Sequence, residues 1–361
     1  MTGRNCIIFC VVTFATPLIT VAADASTKPS EVSVAVPAST SWKKRVSMTI
    51  HSEMYDPGKP SGRRSVIDLD FVRHGDQMVW RGKSLTWGDD GKLLPDESFT
   101  HYDLFRDDLE IEVLSTAEGP ILLARVTTVI RPEHRQITYE HEEHSSFLDG
   151  DVDGSSHMSV ADILAQSDVT VRGGEETVAG EPCQVLEGYS KQGHVTAWVA
   201  RHRGNILMKY VIEKTGDDLY NGKKTSADVK RGLKAATVTE ILSIGGTYIA
   251  TKGEILDSVE LTNGRKNEFI VKCQRTNINL HPDLAETRPF DIQLPEGTKM
   301  GVAGNPRASY QWKSGQMVSP AGVVFPITGA WAPPPIASQT AAGARSPQES
   351  TRPPTATRKA P

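Results

Sequence analysis

Residues 184–213 read QVLEGYSKQGHVTAWVARHRGNILMKYVIE, and this stretch decides the fold. Three extended, apolar-rich runs lie within it: Gln184–Tyr189, Val195–Ala200 and Ile206–Glu213. The second and third are joined by Arg203-Gly204-Asn205, a turn composition. Connections this short suit antiparallel neighbours, since a parallel pair needs a crossover of a dozen or more residues.

The same pattern spreads in both directions. Val46, Met48 and Ile50 alternate with Ser47, Thr49 and His51, which places one apolar face on an extended segment. Ile67, Leu69 and Phe71 repeat it, with Asp68 and Asp70 facing the other way. His74-Gly75-Asp76 then offers a turn and Met78–Leu85 returns, a hairpin signal. Further strands are expected at Leu109–Leu114, Ile121–Ile130, Val169–Arg172, Thr237–Ile244, Thr247–Leu261 and Glu268–Leu280. Turn residues separate them at Gly173-Gly174, Ala179-Gly180-Glu181-Pro182, Gly245-Gly246 and Asn263-Gly264.

One convincing helix stands out, Ser159–Gln166, with Val160, Ile163 and Leu164 at helical spacing and Ser159 with Asp162 able to cap its start. The β-α-β alternation of a doubly wound fold is missing. The expected class is mostly β (α+β): a single curved antiparallel sheet, an incomplete barrel with few helices.

The two ends differ from this body. Arg4 precedes the apolar run Cys6–Ala23, which closes on Ala23-Asp24-Ala25, the layout of a cleavable signal peptide over 1–25. The competing reading is a membrane anchor, which takes about 20 apolar residues; Pro17 and the absence of a basic stop-transfer flank favour cleavage. Phe9 before Cys10 excludes a lipoprotein processing site. Residues 26–41, rich in Ser, Pro, Thr and Ala, read as a flexible linker, and 42–319 as the β domain. Residues 320–361 read as a disordered Pro/Ala/Ser/Thr-rich tail, too poor in apolar side chains to offset the cost of ordering. Such a tail either touches an envelope partner or is simply solvated. The expected location is outside the cytoplasm, in the periplasm or the extracellular space.

Of 361 residues, 38% are hydrophobic and 23% charged, and the net charge is −4. That balance fits a folded body and gives no basic face for nucleic acid. No second segment is apolar enough to span a membrane once the leader is removed. Leader cleavage also discards Cys6 and Cys10, leaving Cys183 and Cys273. In an oxidising compartment these two could form a disulfide, closing a loop of roughly ninety residues worth about 4 kcal/mol. The alternative is two buried free thiols in separate strands.

Three clusters invite a chemical reading. Glu140-His141-Glu142-Glu143-His144 places its histidines three apart, not at the i, i+4 spacing of a zinc-protease helix, so it reads as an exposed charged segment. Asp149-Gly150-Asp151-Val152-Asp153-Gly154 matches the first half of a calcium loop, making Asp149, Asp151 and Asp153 metal candidates. Position 12 of that loop is Val160 where a bidentate Glu belongs, so an acidic turn before the Ser159 helix is the better reading. No G-x-S-x-G, P-loop or G-x-G-x-x-G occurs after the leader, and no catalytic residue or cofactor is assigned.

Two stretches carry a resemblance. Gly180-Glu181-Pro182-Cys183-Gln184-Val185-Leu186, followed by Thr196-Ala197-Trp198-Val199-Ala200 and Gly204–Lys209, resembles a strand–turn–strand pattern of LolA/LolB-like bacterial envelope proteins. Residues 277–300, NINLHPDLAETRPFDIQLPEGTKM, resemble their closing segment, with Phe290, Ile292 and Leu294 alternating as a final strand before the turn Pro295-Glu296-Gly297-Thr298. The resemblance spans Trp42 to Val302. It implies an incomplete antiparallel barrel around helices whose apolar concave face carries lipoprotein acyl chains. The sparse helices and the Pro-rich tail depart from that family, and no ligand-contacting residue is matched.

The expected function is therefore non-enzymatic binding of an apolar ligand, a lipid or acylated peptide, on that concave face. The alternatives are a structural or interaction module of the cell envelope and, less favoured, a hydrolase with dispersed catalytic residues.

Overall fold

The alternation of Val46, Met48 and Ile50 becomes buried positions flanked by half-buried Ser47 and Thr49. The computed structural model describes residues 41–325 except 60–61, 107–108, 117–120, 129–142, 154–157, 221–222, 225–227, 293 and 303–304. Residues 1–40, where a signal peptide and linker are expected, and residues from 326 onward lie outside the described residues.

Strands β1 (Arg45–Tyr55), β2 (Arg64–His74), β3 (Gln77–Trp87), β4 (Phe99–Arg106), β5 (Leu109–Thr116) and β6 (Ile121–Thr128) form an antiparallel meander. The β2–β3 turn is the expected Gly75-Asp76, with Gly75 at φ 59° closing the His74–Gln77 pair.

A helical insertion follows: α1 (Glu143–Ser146), a 3-10 turn Phe147–Asp149, the small hairpin β7 (Asp151–Asp153) and β8 (Met158–Ser159), then α2 (Val160–Ala165). The expected capping box is present in α2: the Ser159 hydroxyl accepts from the Asp162 amide and the Asp162 carboxylate accepts from the Ser159 amide. A cap of this kind is worth about 1 kcal/mol.

The second meander comprises β9 (Asp168–Val178), β10 (Glu181–Ser190), β11 (Gly193–Ala200), β12 (Ile206–Thr215), a side hairpin β13 (Leu219–Tyr220) and β14 (Lys223–Lys224), β15 (Val229–Ile244), β16 (Thr247–Leu261) and β17 (Lys266–Asn279). β17 pairs with β1 and joins the two meanders. After α3 (Leu284–Thr287) come β18 (Lys299–Val302), β19 (Asn305–Lys313), β20 (Gln316–Val318) and β21 (Val324–Phe325).

One sheet of 17 strands results. Its pairings run β9–β10–β11–β12–β15–β16–β17–β1–β2–β3–β4–β5–β6–β18–β19–β20–β21. Every pair is antiparallel except β6–β18. The sheet is curved and does not close into a barrel.

Two cores share one wall of this sheet. Phe71, Met78, Trp80 and Phe105 face the first, with Phe147, Leu148, Val160, Ile163 and Leu164 of the insertion packed into the concave side. The Trp80 ring lies 5.4 Å from both Phe71 and Phe105. Val79 and Leu104 face the opposite way, into a second core with Ile111, Val126, Met300, Tyr310 and Trp312.

Several expectations are corrected. Strand β4, Phe99–Arg106, is an addition that no sequence expectation covered: it has no clean alternation because Leu104 and Phe105 are both buried, one in each core. Gly173-Gly174 is not a turn between strands but a bulge inside β9. Residues 172–174 lie between the pairs Val171–Leu186 and Glu175–Gln184, against the single residue Val185.

Phe290, Ile292 and Leu294 are not a final strand. They pack against the second core, and the carbonyls of Pro289, Phe290 and Asp291 accept from Arg81, Arg106 and Tyr102 side chains rather than from a ladder. The turn Pro295–Thr298 is as expected, with Gly297 at φ 80° and the Thr298 amide donating to the Pro295 carbonyl. The sheet also continues past 319: a turn at Ser319–Gly322 returns the chain so that β21 pairs with β20.

Candidate functional site

Four short segments meet at one end of the concave face. Trp42 and Lys43 belong to a 3-10 turn, Ser41–Lys44, that precedes β1. Leu148 and Asp149 belong to the 3-10 turn after α1, ended by Gly150 at φ 87°. Arg203 and Gly204 form the β11–β12 connection, where Gly204 and Asn205 take φ 68° and 63°. Thr247–Ala250 begins β16 after the two-glycine hairpin turn Gly245-Gly246, at φ 57° and 84°. Positive φ at both central positions is the hairpin turn that favours glycine.

Together with Ile206 and Leu207 these segments line a cleft of about 190 Å³. Trp42, Leu148, Ile206, Leu207, Ile249 and Ala250 supply its apolar walls; Asp149, Arg203, Thr247 and Tyr248 supply polar atoms.

Asp149 is held in a buried ion cluster. Lys43 Nζ lies 2.6 Å from its Oδ2. Arg275 of β17 donates through Nη1 to Oδ1 at 3.0 Å and through Nη2 to Oδ2 at 2.6 Å, a bidentate pair. The same guanidinium donates to the carbonyls of Ser145 at 2.7 Å and Ala250 at 3.3 Å. The Trp42 ring centre is 5.6 Å from Arg275 Cζ, within cation–π range. Burial pushes the Asp149 carboxyl up, but Arg275 and then Lys43 outweigh it and bring it down to about 2. The cluster ties the helical insertion and the turn at 41–44 to the sheet.

At the rim, Arg203 makes two 3.0 Å bonds to the Glu181 carboxylate, which His202 Nε2 also meets at 2.6 Å. Bonds from Arg203 and then His202 hold the Glu181 carboxyl below its usual range. The Arg203 guanidinium sits 5.3 Å over the Tyr248 ring.

A second group of titratable side chains occupies β4–β6, away from the cleft. Burial, and then the neighbouring Glu112, push the Glu110 carboxyl up to about 7, against a smaller pull from Arg125. Arg125 donates to Glu112. Burial pushes His101 down to about 4.

Two of the three sequence-derived metal candidates, Asp149 and Asp151, have described side chains. Asp149 is occupied by Lys43 and Arg275, and Asp151 offers its backbone carbonyl to the Tyr210 hydroxyl at 3.2 Å. The Asp153 side chain lies outside the described residues, as do Glu140, His141 and Glu142 and the side chains of Glu143 and His144. Among the described residues no group of three or more His, Cys, Asp or Glu is arranged to hold a metal ion.

Cys183 and Cys273 are free thiols rather than a disulfide. They sit on β10 and β17, strands separated in the sheet by β11, β12, β15 and β16. Burial pushes them up to about 11 and about 12, respectively. The alternative of two buried thiols on separate strands is the arrangement present.

Arg275, Trp42, Lys43, Arg203 and Tyr248 were not singled out from the sequence. One signal existed for Arg275. In β17 the inward positions Val271 and Cys273 are followed, at the same period, by an arginine. A charge on the apolar side of an alternation marks a buried pair or a site.

No helix among the described residues is long and apolar enough to cross a membrane. No protein-family model matches the chain, and no curated protein matches it. The resemblance to LolA/LolB-like proteins thus rests on the residues quoted for it.

Proposed function

We propose that this chain is an exported, non-enzymatic binding protein that receives an apolar group, from a lipid or acylated peptide, in the cleft at the open end of its LolA-like half-barrel. The observation that supports this reading is the cleft itself, with apolar walls from Trp42, Leu148, Ile206, Leu207, Ile249 and Ala250 and a few fixed polar groups. Sites for apolar ligands have that composition.

One observation counts against the sequence expectation of a ligand lying along the whole concave face. Phe147, Leu148, Val160, Ile163 and Leu164 fill the concave face with the protein's own side chains. At about 190 Å³ the cleft is smaller than the roughly 300–1,000 Å³ of sites that enclose a whole small molecule. It suits the end of an acyl chain, not its whole length.

The test is titration of dodecanoate and of a palmitoylated peptide into the purified protein, followed by calorimetry, with Ile206→Arg as the variant. Tenfold weaker binding at unchanged melting temperature supports the proposal. No binding to wild type, or equal binding to both proteins, overturns it.

The filled concave face also favours the second reading, an envelope interaction module that uses the outside of the sheet. β9 pairs with β10 alone among the described strands, leaving its other edge available. Deleting 332–361 separates the two. Loss of envelope association with dodecanoate binding intact favours the module.

A further inference from the structure

The geometry points to the mouth of the cleft as a surface that docks on an anionic lipid bilayer; this rests on the cleft reading above and adds where loading takes place. Between Glu240 and Lys252 the chain reads ILSIGGTYIAT, residues 241–251, with no charged side chain. This stretch is the tip of the β15–β16 hairpin, closed by the pair Ile244–Thr247 across Gly245-Gly246. Leu242 is 44% exposed there. Ile241 and Ile244 pack against the first core on one side only and remain half-buried. Tyr248 sits at the base of the tip and lines the cleft.

The neighbouring turn is basic. Arg201 and His202 are exposed, and Arg203 lies against Tyr248, which fixes this turn beside the hairpin tip. Glu181 meets Arg203 and His202, whereas Arg201 makes no ion pair with a described residue. Glu240 and Lys252 face each other across the hairpin and cancel. The outward charge beside the tip is thus positive.

An uncharged tip that exposes Leu242, a tyrosine at its base and a flanking arginine match the bilayer interface in order of depth. Apolar side chains reach the acyl boundary, the amphipathic ring lies at headgroup level and the cation meets lipid phosphates. Docked this way, the cleft opens toward the membrane surface, and an acyl end can enter it without crossing water.

The test is co-sedimentation of the purified protein with phosphatidylcholine vesicles, with and without phosphatidylglycerol. Leu242→Glu and Arg201→Gln are the variants; neither residue lines the cleft. All proteins carry the same termini, so any contribution of residues 1–40 is common to them. Wild type is expected to bind the vesicles containing phosphatidylglycerol. Leu242→Glu should weaken this about tenfold, the loss for one partly buried leucine. Arg201→Gln should weaken it about fivefold, and only when the anionic lipid is present.

Absent wild-type binding, or equal binding by all three proteins, overturns the inference. So does lipid-free self-association that Leu242→Glu abolishes, which would assign the tip to a second copy of the chain. Dodecanoate titration without vesicles reports the cleft separately. If Leu242→Glu and Arg201→Gln keep that binding but lose vesicles, docking is supported. If wild type binds vesicles but not dodecanoate, only the cleft reading fails.

Discussion

Replacing Asp149 with Asn keeps the size of the side chain and one carbonyl oxygen but removes the negative charge between Lys43 and Arg275. The three side chains are 9%, 4% and 1% exposed, respectively. Removing one partner from a buried ion pair costs about 3–5 kcal/mol, because the desolvation of the remaining charge is no longer offset. Arg275 keeps the carbonyls of Ser145 and Ala250, so a loss near the lower end, about 3 kcal/mol, is expected at pH 7.

The acid behaviour provides an independent check. The Asp149 carboxyl falls from 3.8 to about 2 in the folded protein, which corresponds to about 2 kcal/mol of stability. A folded pKa below the unfolded one makes this contribution present above about pH 4 and lost as pH falls through about 2. Urea unfolding followed by tryptophan fluorescence measures both. The Asn variant should lose stability at pH 7 and lack its share of the acid-induced decline. A loss below about 1 kcal/mol at pH 7, or an acid profile unchanged from wild type, would refute the reasoning. The triple variant Lys43→Met, Asp149→Leu, Arg275→Met should recover part of the loss, since apolar replacement of the whole buried cluster removes all three desolvation costs.

Two further outcomes are expected. Glu110 rises from 4.5 to about 7, so the folded state holds its proton more tightly than the unfolded chain. Stability from this group is present below about pH 4.5 and lost as pH rises through 7, by about 3 kcal/mol in all. Glu110→Gln should therefore stabilise the protein at pH 8 and change little at pH 4.5. Urea midpoints at the two pH values decide this, and equal destabilisation at both would count against it. Cys183 and Cys273, buried with raised pKa, should resist a thiol reagent in the native state and both react after unfolding without reductant. Unreactive thiols in the unfolded chain would mean a disulfide.

Much of the fold was legible because its rules are local. The inward face of β1 follows from a period of two, the β2–β3 turn from Gly75, and the start of α2 from Ser159 and Asp162. Reading failed where a residue's role depends on something remote. The pattern of β4 is obscured because two cores claim neighbouring residues, Leu104 and Phe105. Phe290, Ile292 and Leu294 alternate like a strand, yet their neighbouring carbonyls are taken by side chains of β3 and β4.

The cleft was invisible for the same reason. Asp149 read best as part of a local acidic turn, with a metal site as the lesser alternative, but its partner Arg275 is 126 residues away. The sequence 184–213 by itself determined an antiparallel meander, because alternation and short turns act over a few residues. Only the tertiary structure decided which carboxylate is paired, which thiols remain free and how far the insertion fills the concave face. Those outcomes depend on burial and on meetings between distant segments, and no local pattern encodes them.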